Sequence, residues 1–254
     1  ISDTKEAEKL INLSTQPKGL NYRFSKVALY SLESRLYLYQ QQWQKSLDAA
    51  NKALELKNTL IDLKATPVLA TKYDGKESIL ALEDGYIVGI KRASYASADL
   101  IAAYNKTTDL RFPLYFAASG SRFRILKGGN DDQKSSFRSS ELYLTKAETL
   151  LKLDNINDAK ATVLTFIKNR YTPAGYDQLA SSINTMNATD LTNFIFEERR
   201  REFPVEGHRW FDLRRSTQKQ IVHKFMNIEY TLIQNDPRYT IIYPADARLN
   251  NPNL

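Results

Sequence analysis

The densest group of side chains able to do chemistry lies between Phe194 and Arg215: Glu197-Glu198-Arg199-Arg200-Arg201-Glu202, then Glu206, His208, Arg209, Asp212, Arg214 and Arg215. Clustered guanidinium forks suit phosphate or carboxylate, which they grip bidentately. Here, however, nearly every arginine has a carboxylate within one helical turn, the spacing of internal ion pairs. The pattern reads as structural. Arg209 and Asp212 are expected to pair with Glu198, Arg199 or Glu202 and so hold two helices in one geometry, with Trp210 and Phe211 seating the segment in the core. Asp212→Ala is then expected to cost stability without affecting a ligand. With 36 Lys+Arg against 29 Asp+Glu the chain carries +7. A nucleic-acid face needs positive charge that nothing opposes, so no nucleic-acid partner is expected.

Other reactive groups are sparse. The chain has no Cys, which removes disulfides, thiolate metal sites and cysteine nucleophiles. His208 and His223 stand outside any metal-ligand spacing. Asp154-Asn155-Ile156-Asn157 lacks the glycine of a calcium loop and reads as a turn. No phosphate loop, dinucleotide fingerprint, His-Glu-x-x-His or Gly-x-Ser-x-Gly is present. The expectation is a protein that is not an enzyme, with no metal and no cofactor.

The elements that must position these residues are mainly helical. Phe24, Val27, Ala28, Leu32, Leu36 and Tyr39 recur at helical spacing from Asn21 to Tyr39, and a second helix runs from Trp43 to Leu56. A shift of 113 places Phe24 on Phe137, Leu29 on Leu142, Tyr30 on Tyr143, Leu38 on Leu151, Trp43 on Ile156 and Leu54 on Ile167. Each unit spans about 34 residues, the period of a tetratricopeptide (TPR) helix pair. The expected fold class is mainly α, with TPR-like hairpins at 22–56 and 135–169. Between them, residues 58–134 are rich in turns and short apolar runs, with one short helix from Ala98 to Tyr104. A further helix, capped by Thr189 or Asp190, is stopped by Pro204, and the tail from Thr240 is irregular. No apolar run reaches the roughly 18 residues of a membrane span. The charged start Ile1-Ser2-Asp3-Thr4-Lys5-Glu6 has no signal core, as in a cytosolic chain or a mature or truncated secreted one.

Residues Phe194 to Arg215, FIFEERRREFPVEGHRWFDLRR, resemble the signature of the SusD/RagB family of surface nutrient-binding lipoproteins. Glu198-Arg199, Glu202-Phe203, Glu206-Gly207, Arg209-Trp210 and Asp212-Leu213-Arg214 carry the likeness. Phe137 to Leu144 with Ala147-Glu148, Asp109-Leu110-Arg111, and Asp236 to Asn251 agree with it in order. In that family the signature is structural, and the resemblance implies one SusD-like domain over 1–254, with 189–254 as its C-terminal segment. Members are commonly longer, which implies that the family's N-terminal part and its lipid-attachment Cys are missing here. The family's Pro-Ile-Pro is replaced by Ile242-Tyr243-Pro244.

The resemblance further implies a non-enzymatic protein at the cell surface of the outer membrane, reaching the membrane only through a lipid anchor absent from this chain. It would capture oligosaccharide and pass it to a TonB-dependent transporter of the SusC type. Peptide capture on the same scaffold, or a TPR-like protein–protein adaptor, are the alternatives. Sugar rings stack on aromatic faces while charged or amide groups bond their hydroxyls, and such groups belong on loops held by a rigid scaffold. Tyr73, Tyr86, Arg92 and Tyr95 in the insert meet that description. Trp43 and Trp210 both sit in helical motifs, so a tryptophan platform is not expected, and Tyr104 reads as packing.

Overall fold

The computed structural model describes residues 1–83, 94–127, 133–226 and 228–251, in two compact units, Ile1–Val205 and Glu206–Leu254. The first unit runs through α1 (Ser2–Leu10), α2 (Lys26–Tyr39), α3 (Trp43–Leu56), β1 (Ser78–Glu83), α4 (Ala98–Ala102), α5 (Phe112–Tyr115), β2 (Phe116–Ser119) and β3 (Arg122–Ile125). It continues with β4 (Gln133–Arg138), α6 (Ser139–Lys152), α7 (Ile156–Ile167), α8 (Pro173–Thr185) and α9 (Ala188–Glu202). The second holds α10 (His208–Arg214), the antiparallel hairpin of β5 (Ile221–Phe225) and β6 (Ile228–Leu232), a 3₁₀ turn at Pro237–Tyr239, and α11 (Ala245–Asn250).

The internal repeat is visible in the helix starts, offset by 113 from Lys26 to Ser139 and again from Trp43 to Ile156. Both hairpin turns contain a left-handed residue at the equivalent place, Gln41 (φ 58°) and Asp154 (φ 59°). In the first hairpin, buried Ala50 and Ala53 leave room for close approach. Ser34 and Ser46 then donate to each other's carbonyls at 3.2 and 2.9 Å.

One apolar cluster joins α6, α7, α8 and α9 around Leu144, Val163, Phe166, Ile183, Leu191 and Ile195. Another joins α2, α3 and β1 to the start of α6. Phe24 and Phe137 part company. Phe137 lies in β4, which pairs with β1, and is 5% exposed beneath the Arg35 guanidinium. Phe24 precedes α2 in a loop, outside any strand, and is 45% exposed.

Several boundaries differ from the sequence reading. α2 begins at Lys26 rather than Asn21, because Ser25 is extended backbone. α9 is capped by Asn187, not Thr189 or Asp190: the Asn187 side chain accepts from the Asp190 amide at 3.0 Å, satisfying a donor the helix cannot. Pro204 does end it, with Glu202 the last helical residue. The tail is not wholly irregular, since α11 forms there. No helix among the described residues is long and apolar enough to cross a membrane.

Candidate functional site

Three of the signature carboxylates and arginines on α9 are buried, and their partners come from distant segments. The Glu202 carboxylate takes Arg111 (3.2 Å), Arg170 (3.0 and 3.1 Å) and Arg138, while its carbonyl accepts from Arg138 (2.9 Å) and Lys127. Arg170 also forks onto Glu77 at 2.7 and 3.0 Å. Arg111 grips Asp109 bidentately at 2.9 and 2.8 Å, which explains the Asp-x-Arg element. Glu198 accepts from Tyr171 (2.5 Å) and Arg201 (2.9 and 2.6 Å) and lies 3.0 Å from Arg111. Burial alone pushes the Glu202 carboxyl up, but Arg170, Arg138 and Arg111 together outweigh it and hold it well below the usual range. Asp109, Arg111, Glu202, Glu77 and Arg170 have side chains at 0% exposure with both guanidinium groups on protein carboxylates, so this part of the network has no opening for a ligand anion. Arg199 is also buried, its guanidinium 5.4 Å from the Phe203 ring centre.

Within the second unit, Asp212 is 1% exposed and pairs with Arg215 at 2.7 Å. Trp210 stacks on Tyr239 with ring centres 5.1 Å apart, whereas Phe211 is 46% exposed and does not seat the segment as the sequence suggested. Arg209 is half-buried on α10. Asp212→Ala is expected to lower unfolding stability by about 3 kcal/mol, since it removes a buried carboxylate from its ion pair with the partly buried Arg215, and to leave ligand affinity unchanged in the folded fraction. Urea denaturation followed by Trp fluorescence reads this; an unmoved midpoint with lost binding reverses the assignment.

The insert holds the exposed aromatic face. β2 and β3 pair in the register Ala117↔Arg124 and Ser119↔Arg122 around Gly120, whose φ of 59° the tight turn requires. On the other edge of β3, Tyr95 bridges to Arg124, and the Ala96 amide donates to the Phe123 carbonyl at 2.9 Å. Strand alternation then sorts the side chains. Phe116, Phe123 and Ile125 fall on the face that packs against Tyr104, Tyr115 and Phe112. Tyr95, Arg122, Arg124 and Ser119 share the opposite face. Tyr95 is 43% exposed with the Arg122 guanidinium 5.1 Å from its ring centre, and Arg124 donates to Ser119 Oγ at 3.2 Å. Tyr104 packs as read, 5% exposed, with its hydroxyl donating to the Arg201 carbonyl at 2.7 Å.

Tyr73 is held by different elements. It is half-buried on a turn whose carbonyl the Asn21 amide clasps, beside a 310 Å³ cavity bordered by Lys57, Asp74 and Lys76. Tyr86 and Arg92 lie outside the described residues. Among the described residues no group of three or more His, Asp or Glu is arranged to hold a metal ion. The sequence reading missed Arg122 and Arg124, although the alternation Arg-Phe-Arg-Ile after Gly120 is a half-buried strand's own signal.

Residues 94–252 match the SusD family, from the Tyr95 bridge through the buried network to α11. The chain belongs to the SusD family. Solved structures share the fold. A SusD-like carbohydrate binding protein from Bacteroides vulgatus superposes with a TM-score of 0.71 at 19% identity, covering 100% of this chain and 63% of that one. A SusD superfamily protein from Bacteroides thetaiotaomicron gives 0.77 at 21%, covering 99% and 63%. A putative sugar binding protein from Bacteroides vulgatus gives 0.71 at 17%, covering 99% and 62%. The chain thus spans about 63% of the length of these SusD-like structures. No curated protein matches it.

Proposed function

We propose that this SusD-family chain is a non-catalytic binding protein that captures oligosaccharide at the outer-membrane surface and delivers it to a TonB-dependent transporter of the SusC type. The observation that carries the reading is the Tyr95 face. It offers an exposed aromatic ring with arginines on the same side, on strands anchored by a buried aromatic cluster. A sugar ring's C–H face stacks on such a tyrosine, while Arg122, Arg124 and Ser119 supply donors and an acceptor for hydroxyls. Preorganisation by the Phe112–Phe116–Phe123 packing keeps the entropic cost of binding low. Two of the structures of like fold are described as carbohydrate or sugar binding proteins, which supports the ligand class. Tyr73, Tyr86 and Arg92 remain proposed members of the ligand face, and the lipid anchor and surface location come with the family reading.

A glycan array followed by calorimetry on the whole protein tests it. Tyr95→Ala is expected to weaken glycan binding about twofold to tenfold, from the loss of one stacking ring worth about 0.5–1.5 kcal/mol. Full affinity in Tyr95→Ala and Arg122→Ala removes this face from the site. Binding to peptides but to no glycan overturns the ligand class.

A further inference from the structure

We propose that the cleft between α8 and α9 is a second binding site, a groove for a short extended peptide segment with an aliphatic side chain beside a lysine or arginine. Only Met186 and Asn187 join the two helices. Helices so closely linked ordinarily pack along their facing stripes. Here the stripes are mostly polar, each with a single large apolar residue: Gly175, Gln178, Leu179 and Ser182 at one-turn spacing on α8, and Asp190, Asn193, Phe194 and Glu197 on α9. The helices instead line an open cleft of about 800 Å³, within the range of small-ligand sites.

The floor decides the ligand's body. Leu179, Met186 and Phe194 are partly buried against the core, so the groove has a firm apolar base, part aliphatic and part aromatic. Leu179 and Met186, with the Phe194 ring beside them, suit an aliphatic side chain. At the inner end Tyr171 is fixed by its hydroxyl, bonded to both Arg111 and Glu198. The walls decide the backbone: the carboxamides of Gln178 and Asn193 each present a donor beside an acceptor, the complement of a peptide group. Charge decides the neighbour. Arg201 is bound to Glu198 and Glu197 to Arg200. Asp190, on the rim, has no cationic partner among the described residues, which favours a lysine or arginine there. α8 is also seated closely on the preceding segment, since a Cβ on Gly175 would lie 2.6 Å from Thr108 Cβ.

Fluorescence anisotropy with fluorescein-labelled Gly-Ser-Leu-Lys-Ser-Gly, on the whole protein, tests the proposal. Saturable binding is expected, weakened about threefold to tenfold by Asn193→Ala and by Asp190→Asn, both exposed positions at which the fold survives. Replacing the peptide's Leu by Ser, or its Lys by Glu, is expected to weaken it comparably, and Tyr95→Ala to leave it unchanged. Circular dichroism confirms that the variants are folded. No saturation at about 1 mM peptide, equal affinity for all three peptides, or indifference to both groove variants overturns the proposal. Loss of peptide binding in Tyr95→Ala, with both groove variants unaffected, places the peptide on the Tyr95 face and also overturns it. These outcomes leave the glycan reading of the Tyr95 face standing or falling on its own test.

Discussion

Glu202→Ala is expected to lower the stability of the first unit by about 3–5 kcal/mol, the cost of breaking a buried ion cluster by removing one sign. One carboxylate here serves Arg111, Arg138 and Arg170 at once, and all three guanidinium groups are buried. Without it, three cations face one another in a site that water does not reach. Glu77, Asp109 and Glu198 remain, yet each is already committed, to Arg170, Arg111 and Arg201 respectively. Glu202→Gln keeps the shape but not the charge and is expected to lie between the wild type and Glu202→Ala. Urea unfolding by circular dichroism checks it; a loss below about 1 kcal/mol would falsify the claim that this network organises the fold.

The same carboxylates predict a steep acid limb. Burial by itself raises both the Glu202 and Glu198 carboxyls, but the arginines around them prevail and hold both below the ordinary value of 4.5. In the unfolded chain these groups take up protons near their ordinary value; in the folded protein they resist until lower pH. The unfolded state therefore binds more protons in that interval, and stability falls as the medium is acidified. Their contribution is fully present above the unfolded value and is lost as pH falls through the folded one. The urea midpoint is thus expected to hold level from about pH 7 to 5 and drop sharply below about 4.5, with Glu202→Gln flattening the drop. A wild-type midpoint as high at about pH 3 as at pH 7 sinks the prediction.

The repeat was legible because helical periodicity is local. Leu29, Leu142, Leu38 and Leu151 are all buried at the offset the sequence shows. α8 is signalled by its start rather than by periodicity: Thr172 accepts from the Gly175 amide at 3.2 Å, and proline occupies the first turn. The β5–β6 hairpin went unread, because its strands alternate weakly and the five-residue runs carry no Gly at the turn. The same offset places Phe24 on Phe137, but Phe137 lies in β4 against β1 and is buried, whereas Phe24 lies in a loop and is exposed.

Composition and local pattern determined that this protein is mainly α, that its arginines are countered by carboxylates, and that its motif order resembles the SusD family. The first two depend on neighbours within a turn or two of chain, and the third on the order of short local motifs. Which carboxylate meets which arginine was decided only in three dimensions. The sequence reading sought partners for Glu202 a few residues downstream, whereas Arg111 and Arg138 reach it across 91 and 64 residues. The exposed ring was decided there as well: of Tyr73 and Tyr95, equally plausible on their turns, the bridge to Arg124 places Tyr95 on a face with Arg122. Ion pairing in a dry interior and strand alternation both depend on what packs from elsewhere in the chain, and spacing along the sequence does not record it.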